Sequence, residues 1–112
     1  MNYEDIPIYE YPPTEYGFTY FITVDGMCVR ANITEISKDV DIECDDGTVI
    51  TTNDIKKFWG DKECNLRTIN EGAFEDCENL LLADIPKGVI DIGESAFKGC
   101  YNMYGLNIPN GV

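Results

Sequence analysis

The chain contains no histidine. Without an imidazole there is no Ser/His or Cys/His nucleophilic pair and no histidine ligand for a metal, which removes the commonest routes to hydrolysis and metal-assisted chemistry. Serine is scarce too: Ser37 and Ser95 are the only two, and no GxxxxGK[ST] phosphate loop occurs. No catalytic residue, metal site or cofactor is therefore expected. Positive charge is sparse, with 8 Lys+Arg against 21 Asp+Glu and a net charge of -13. Such a surface repels nucleic acid and anionic membrane and favours a protein partner with a basic surface. No apolar run approaches the ~20 residues that span a bilayer. The first residues, MNYEDIPIYEYPP, show neither a basic n-region nor an apolar h-region, so a cytoplasmic chain is expected. The five cysteines are odd in number and form no CxxC pair, which reads as reduced, small apolar side chains rather than a disulfide or zinc framework.

What is present is enough for a folded protein: 44% hydrophobic residues, including seven Tyr and five Phe. Residues 1–16 carry four Tyr and the Pro12-Pro13 pair, which forbids a helix, and read as an extended aromatic and acidic arm. Residues 17–63 read as a small β domain. Phe18, Tyr20, Ile22 and Val24 alternate with Thr19, Phe21 and Thr23, and Asp25-Gly26 predicts a two-residue hairpin turn into a returning strand from Met27 to Ile36. A third strand is expected where Asp39, Asp41, Glu43 and Asp45 interleave with Val40, Ile42 and Cys44, then a turn at Asp46-Gly47 and a fourth strand over 48–51. Thr52 or Asn53 can cap a short helix carrying Ile55, Phe58 and Trp59 and ended by Gly60. This segment suggests a small antiparallel sheet or an SH3-like barrel.

Residues 64–112 carry an internal repeat. INEGAFEDCENLLLADIPKGV (69–89) aligns with IGESAFKGCYNMYGLNIPNGV (92–112) at an offset of 23 residues, with ten of 21 positions identical. A unit of this size cannot bury its apolar face alone, so copies must stack. A turn of helix holding Ala73, Phe74 and Cys77 (Ala96, Phe97 and Cys100 in the second copy) supplies small and apolar residues for the space between layers. Asn79 and Asn102 are placed to bond backbone of the adjacent coil, and Pro-x-Gly ends each unit. The expected helix with Phe58 and Trp59, followed by Cys64-Asn65-Leu66, reads as a degenerate half-repeat able to stack under Phe74. The edge of the second copy is expected either to pair with a second copy of the chain, giving a homodimer, or to belong to a longer array.

The pattern AFxxCxNLxxxxIPxxV, over residues 66–112, resembles the BspA-like or Treponema-type bacterial leucine-rich repeats. That resemblance implies a leucine-rich solenoid, and a family in which many members are secreted or surface-attached adhesion proteins. Together with the N-terminal segment it gives an α+β, β-rich chain: a small sheet or barrel followed by a two-repeat solenoid.

Two functional readings follow. In the first, the chain is a non-enzymatic protein-interaction module that binds a partner or itself through its repeat and acidic surfaces. Tyr101 and Tyr104, which the repeat pattern does not constrain, are its candidate contacts, with the arm tyrosines Tyr3, Tyr9, Tyr11 and Tyr16 beside them. In the second, Asp39, Asp41, Glu43 and Asp45 form a carboxylate row, with Glu35 and Asp46 beside it as further candidate contacts. On a strand its members stand about 6.8 Å apart, close to the spacing of successive phosphates. Such a row suits an acidic nucleic-acid mimic that blocks the groove of a phage-defence nuclease, as an anti-CRISPR protein would, in a bacterial or phage-infected cell. Calcium is the weaker use of this run: an EF-hand loop needs Gly where Asp46 sits and Glu where Thr52 sits.

Overall fold

The computed structural model describes residues 17–112. The arm tyrosines therefore lie outside the described residues. Ten short strands are connected by tight turns: β1 (Thr19–Thr23), β2 (Cys28–Ala31), β3 (Glu35–Ile36), β4 (Ile42–Glu43), β5 (Val49–Ile50), β6 (Ile55–Gly60), β7 (Thr68–Ile69), β8 (Leu82–Asp84), β9 (Asp91–Ile92) and β10 (Gly105–Asn107). They form a five-stranded sheet in the order β10-β8-β6-β1-β2, a three-stranded sheet β3-β7-β9 and the hairpin β4-β5. The chain is β-rich, as its alternating patterns predict. The larger sheet is mixed and open, so no barrel closes among the described residues.

The first hairpin forms where the alternation places it, with β1 and β2 antiparallel and Ile22 opposite Cys28. Its loop is one residue longer than the Asp25-Gly26 signal suggests. Thr23 N–H bonds Met27 O, Gly26 N–H bonds Thr23 O, and Gly26 adopts φ +88°. Val24-Asp25-Gly26 is thus a three-residue turn whose last member takes the left-handed conformation that glycine enters without a Cβ clash. The returning strand is also shorter than 27–36: β2 stops at Ala31, and Glu35–Ile36 joins the other sheet, parallel to β7.

The expected helix over 54–60 is a strand. A short 3-10 turn at Thr52–Asp54, closed by Asp54 Oδ2 accepting from Thr51 N–H at 2.9 Å, leads directly into β6. Ile55 and Phe58 are both buried, and their three-residue spacing is what reads as helical. Its cause is a bulge: Ile22 pairs with Lys57 while Thr23 pairs with Ile55, so Lys56 is an extra residue in the ladder. The extra residue brings Ile55 and Phe58 to the same face of a strand. Pairing on both edges, antiparallel to β1 and parallel to β8, then outweighs local propensity.

In the repeats, successive strands pair parallel: β7 with β9, and β8 with β10. The segments between them are consecutive tight turns rather than helical turns. The reason lies in two left-handed positions per copy, Gly72 (φ +65°) and Asp76 (φ +60°) in one, Ser95 (φ +59°) and Gly99 (φ +79°) in the next. A residue with positive φ interrupts a right-handed helix. Each copy thus fills one slot with glycine; the other holds Asp76 in the first copy, a residue type that enters this conformation more readily than most, and Ser95 in the second.

The layers meet through a continuous core. Phe58, Phe74 and Phe97 stack face to face, at 5.1 Å and 2° for the first pair and 5.4 Å and 5° for the second. The half-repeat expected to lie beneath Phe74 is thus present, built on β6. Leu66, Ile69, Ala73, Leu80 and Ala83 are fully enclosed around the stack. Asn79 Nδ2 donates to Asn53 O at 3.4 Å and Asn102 Nδ2 to Glu78 O at 2.9 Å, so each asparagine ties its layer to the one before it. No disulfide joins the cysteines to one another, and Cys44, Cys64 and Cys77 are buried.

Candidate functional site

Two surfaces carry the residues singled out by sequence. The first is the acidic segment 35–46. Ile42 and Cys44 point inward while Asp41, Glu43 and Asp45 point to solvent, so the alternation holds over that stretch. The row is shorter than a continuous strand would give. Between Asp39 and Asp46 only Ile42–Glu43 is extended in a ladder, and Asp39 sits in a turn with φ +59° while Val40 faces solvent. A left-handed residue turns the chain and takes Asp39 out of line.

Three other acids have local structural partners. Arg30 Nε donates to Asp45 Oδ2 at 2.6 Å, and its guanidinium lies 4.3 Å from the centre of the Phe18 ring. Asp46 Oδ1 accepts from Thr48 N–H at 2.9 Å, closing the turn at Gly47, and this bond holds the Asp46 carboxyl below its ordinary value. Glu35 Oε2 accepts from Asn70 Nδ2 at 3.3 Å, and the same amide donates to Ser37 Oγ at 2.7 Å, linking β3 to the start of the first repeat turn. Asp41 and Glu43 have no ion-pair partner among the described residues. The six acids therefore divide into two open carboxylates, one turned aside and three engaged in local structure. Among the described residues no cluster of His, Cys, Asp and Glu has the geometry to hold a metal ion.

The second surface is the outer side of the last layer, residues 92–112. Tyr101 and Tyr104 stand 83% and 66% exposed, and Lys57 Nζ lies 5.8 Å from the centre of the Tyr104 ring. More telling are residues that the two copies share. Ile85 is 4% exposed and its equivalent Ile108 is 55%; Val89 is 1% exposed and Val112 is 45%. Leu106, where the preceding copy has the buried Ala83, is exposed as well. Residues of core type are core in one layer and surface in the next, because the first layer is covered by the second and nothing among the described residues covers the second. After Lys98 the sequence has no charged side chain, although the chain carries a net charge of -13. Leaving one Ile or Val side chain in water forgoes roughly 1.5–3 kcal/mol of burial.

The sequence reading named the tyrosines of this face and passed over Leu106, Ile108 and Val112. The signal that finds them is the alignment itself: positions whose equivalents fill a buried slot in the first copy.

The chain gives no significant match to any curated protein or to any solved structure. The family model described as the BspA type leucine rich repeat region (6 copies) matches residues 54–112. The match begins at the 3-10 turn before β6 and so includes the layer that holds Phe58. Leucine-rich repeats commonly mediate protein–protein binding and are generally non-enzymatic. With more than half of its length matched, and with parallel layers at the 23-residue offset of its repeat, the chain belongs to the BspA-type leucine-rich repeat family.

Proposed function

We propose that the chain is a non-enzymatic protein-interaction module whose contact surface is the outer side of the last layer, built from Tyr101, Tyr104, Leu106, Ile108 and Val112. The observation that carries this reading is the difference in burial between identical residues, Ile85 against Ile108 and Val89 against Val112. A group of exposed apolar side chains of core type is one way a folded chain marks an interface. Two exposed tyrosines add contact area at low conformational cost. The acidic remainder of the surface then acts in partner choice, since it repels anionic macromolecules and tolerates neutral or basic ones.

The experiment is affinity capture with the wild-type chain and with Leu106→Lys and Asp41→Lys/Glu43→Lys variants, each washed at low and high salt. The interaction-module reading expects salt-resistant capture that Leu106→Lys abolishes and the acidic variant retains. Salt-sensitive capture of a nucleic-acid-handling protein, lost in the acidic variant, would instead support the mimic reading. That reading now rests on two open carboxylates, Asp41 and Glu43, rather than on a row of four with Glu35 and Asp46 beside it. Homodimer formation through the same face is the self-binding form of the first reading, and light scattering at high micromolar concentration detects it.

A further inference from the structure

A cleft of about 280 Å³ lies between the turn that joins β1 to β2 and the strand β5. Three apolar side chains, Val24, Met27 and Val49, line it, and all three are exposed. None of them belongs to the core. Val24 opens a three-residue turn, a place that turn chemistry gives to Asp, Asn, Ser or Gly, and Val49 is the solvent-facing member of β5, whose other residue, Ile50, is buried. A single exposed apolar side chain needs no explanation, but three around one depression do.

The cleft has two polar borders. One is backbone. Cys44 N–H donates to Thr48 O at 2.8 Å, which makes these two a hydrogen-bonded pair. In an antiparallel ladder the next pair, Glu43 and Val49, is then a non-hydrogen-bonded one, so the N–H and C=O of Val49 point away from β4. The β4-β5 hairpin is a sheet of two strands, and that edge of β5 is unpaired among the described residues. The other border is charge. Asp25 and Asp54 line the cleft and no Lys or Arg does. Neither carboxylate forms an ion pair among the described residues. Each is held by its own turn: Asp25 Oδ1 accepts from Thr23 Oγ1, and Asp54 Oδ2 accepts from Thr51 N–H. Asp25 Oδ2 and Asp54 Oδ1 accept no bond among the described residues.

We propose that this cleft binds an extended segment of another protein in which an apolar residue stands next to a lysine or arginine. The backbone of the segment pairs with Val49 as an added strand, its apolar side chain covers Val24, Met27 and Val49, and its cation meets Asp25 and Asp54. Charge selects the occupant: two carboxylates on a chain of net charge -13 disfavour an acidic segment and a second copy alike. A small free cation would meet the carboxylates but leave the backbone edge and the apolar side chains uncovered. The site shares no residue with the face formed by residues 92–112 and does not depend on the role proposed for it.

The test titrates the full-length chain, labelled with nitrogen-15, with an acetylated and amidated pentapeptide in which valine alternates with lysine. The expected result is saturable shifts confined to the amides of residues 24–27 and 48–50, with hydrogen exchange at the Val49 amide slowed about tenfold or more. Val49→Lys, at an exposed position outside the core, should weaken binding about tenfold or more. Asp25→Asn, which keeps an acceptor for Thr23, should weaken it about threefold and flatten its salt dependence. Leu106→Lys should bind as wild type. No shift in the cleft at millimolar peptide would overturn the proposal, and so would shifts centred on Asp41 and Glu43, the mark of diffuse attraction to the acidic surface. Equal affinity for the pentapeptide carrying glutamate in place of lysine would overturn it by removing the carboxylates from recognition. If spermidine alone slows exchange at Val49, or if raising the chain concentration does so without peptide, the occupant is a small cation or a second copy, and the proposal fails.

Discussion

The phenyl ring of Phe58 lies 5.1 Å from that of Phe74, only 2° from parallel, although 16 positions separate them and only Phe74 belongs to the aligned copies. Phe58 is thus the base of the ring stack, delivered by a strand that also pairs with the first hairpin. Truncating either fully buried ring, Phe58→Ala or Phe74→Ala, is expected to cost about 3–5 kcal/mol by removing apolar contacts and leaving a cavity. Phe97→Ala should cost clearly less, because Phe97 is only partly buried. Urea unfolding of the three variants orders them, and equal losses would contradict a stack with one open end.

Identical residues in the two copies should respond differently. Ile85→Ala is expected to destabilise by about 2–5 kcal/mol, whereas Ile108→Ala should stay within about 0.5 kcal/mol of wild type in the isolated chain. Thermal unfolding of the pair checks this. A large loss at Ile108 would mean that something covers the last layer.

The left-handed slots predict effects of opposite sign. Ser95→Gly relieves a positive φ at one slot and should stabilise by up to about 1 kcal/mol, net of the added freedom of the unfolded chain. Gly99→Ala at the other slot should destabilise by more than about 1 kcal/mol, since it adds the same conformational strain and drives a methyl group into the Asp76 side chain. Chemical denaturation of both variants against wild type is sufficient to decide.

Alkaline pH should weaken the fold through its thiols. Burial, with Asp46 and Asp45 nearby, pushes Cys44 up from an ordinary 9.0 to about 11, and burial raises Cys64, Cys77 and Cys100 as well. The folded state holds these protons while the unfolded state releases them above pH 9. The stabilisation is therefore complete below pH 9 and falls as pH rises towards 11, with a slope of at most about 1.4 kcal/mol per pH unit for each group. Unfolding free energies measured from pH 8 to pH 11 should show this decline, and Cys44→Ala should make it shallower.

The repeat was legible because its signal lies in residue identity at a fixed offset, and stacking needs those identities whatever the local backbone does. The placing of Phe74 and Phe97 between layers and the asparagine bonds from Asn79 and Asn102 could be anticipated in that way. The stretch 54–60 was misread because its signal lies in spacing alone. A bulged strand and an amphipathic helix both put Ile55 and Phe58 on one face, and only the partners β1 and β8, distant in sequence, choose between them. The acidic run was read correctly where Ile42 and Cys44 alternate with acids. At Asp39 a single left-handed residue, which no pattern of apolar positions encodes, ended the row.

The extra residue at Lys56 also places a constraint on how this chain can change in length. A residue gained or lost within the strand between Ile55 and Phe58 exchanges the two faces of β6 for the segment beyond it, so the length of this stretch is governed by parity. Deleting Lys56 alone would set Ile55 towards the side opposite Phe58, while changes made two residues at a time would leave both facing inward. Relatives that vary here should therefore differ by even numbers.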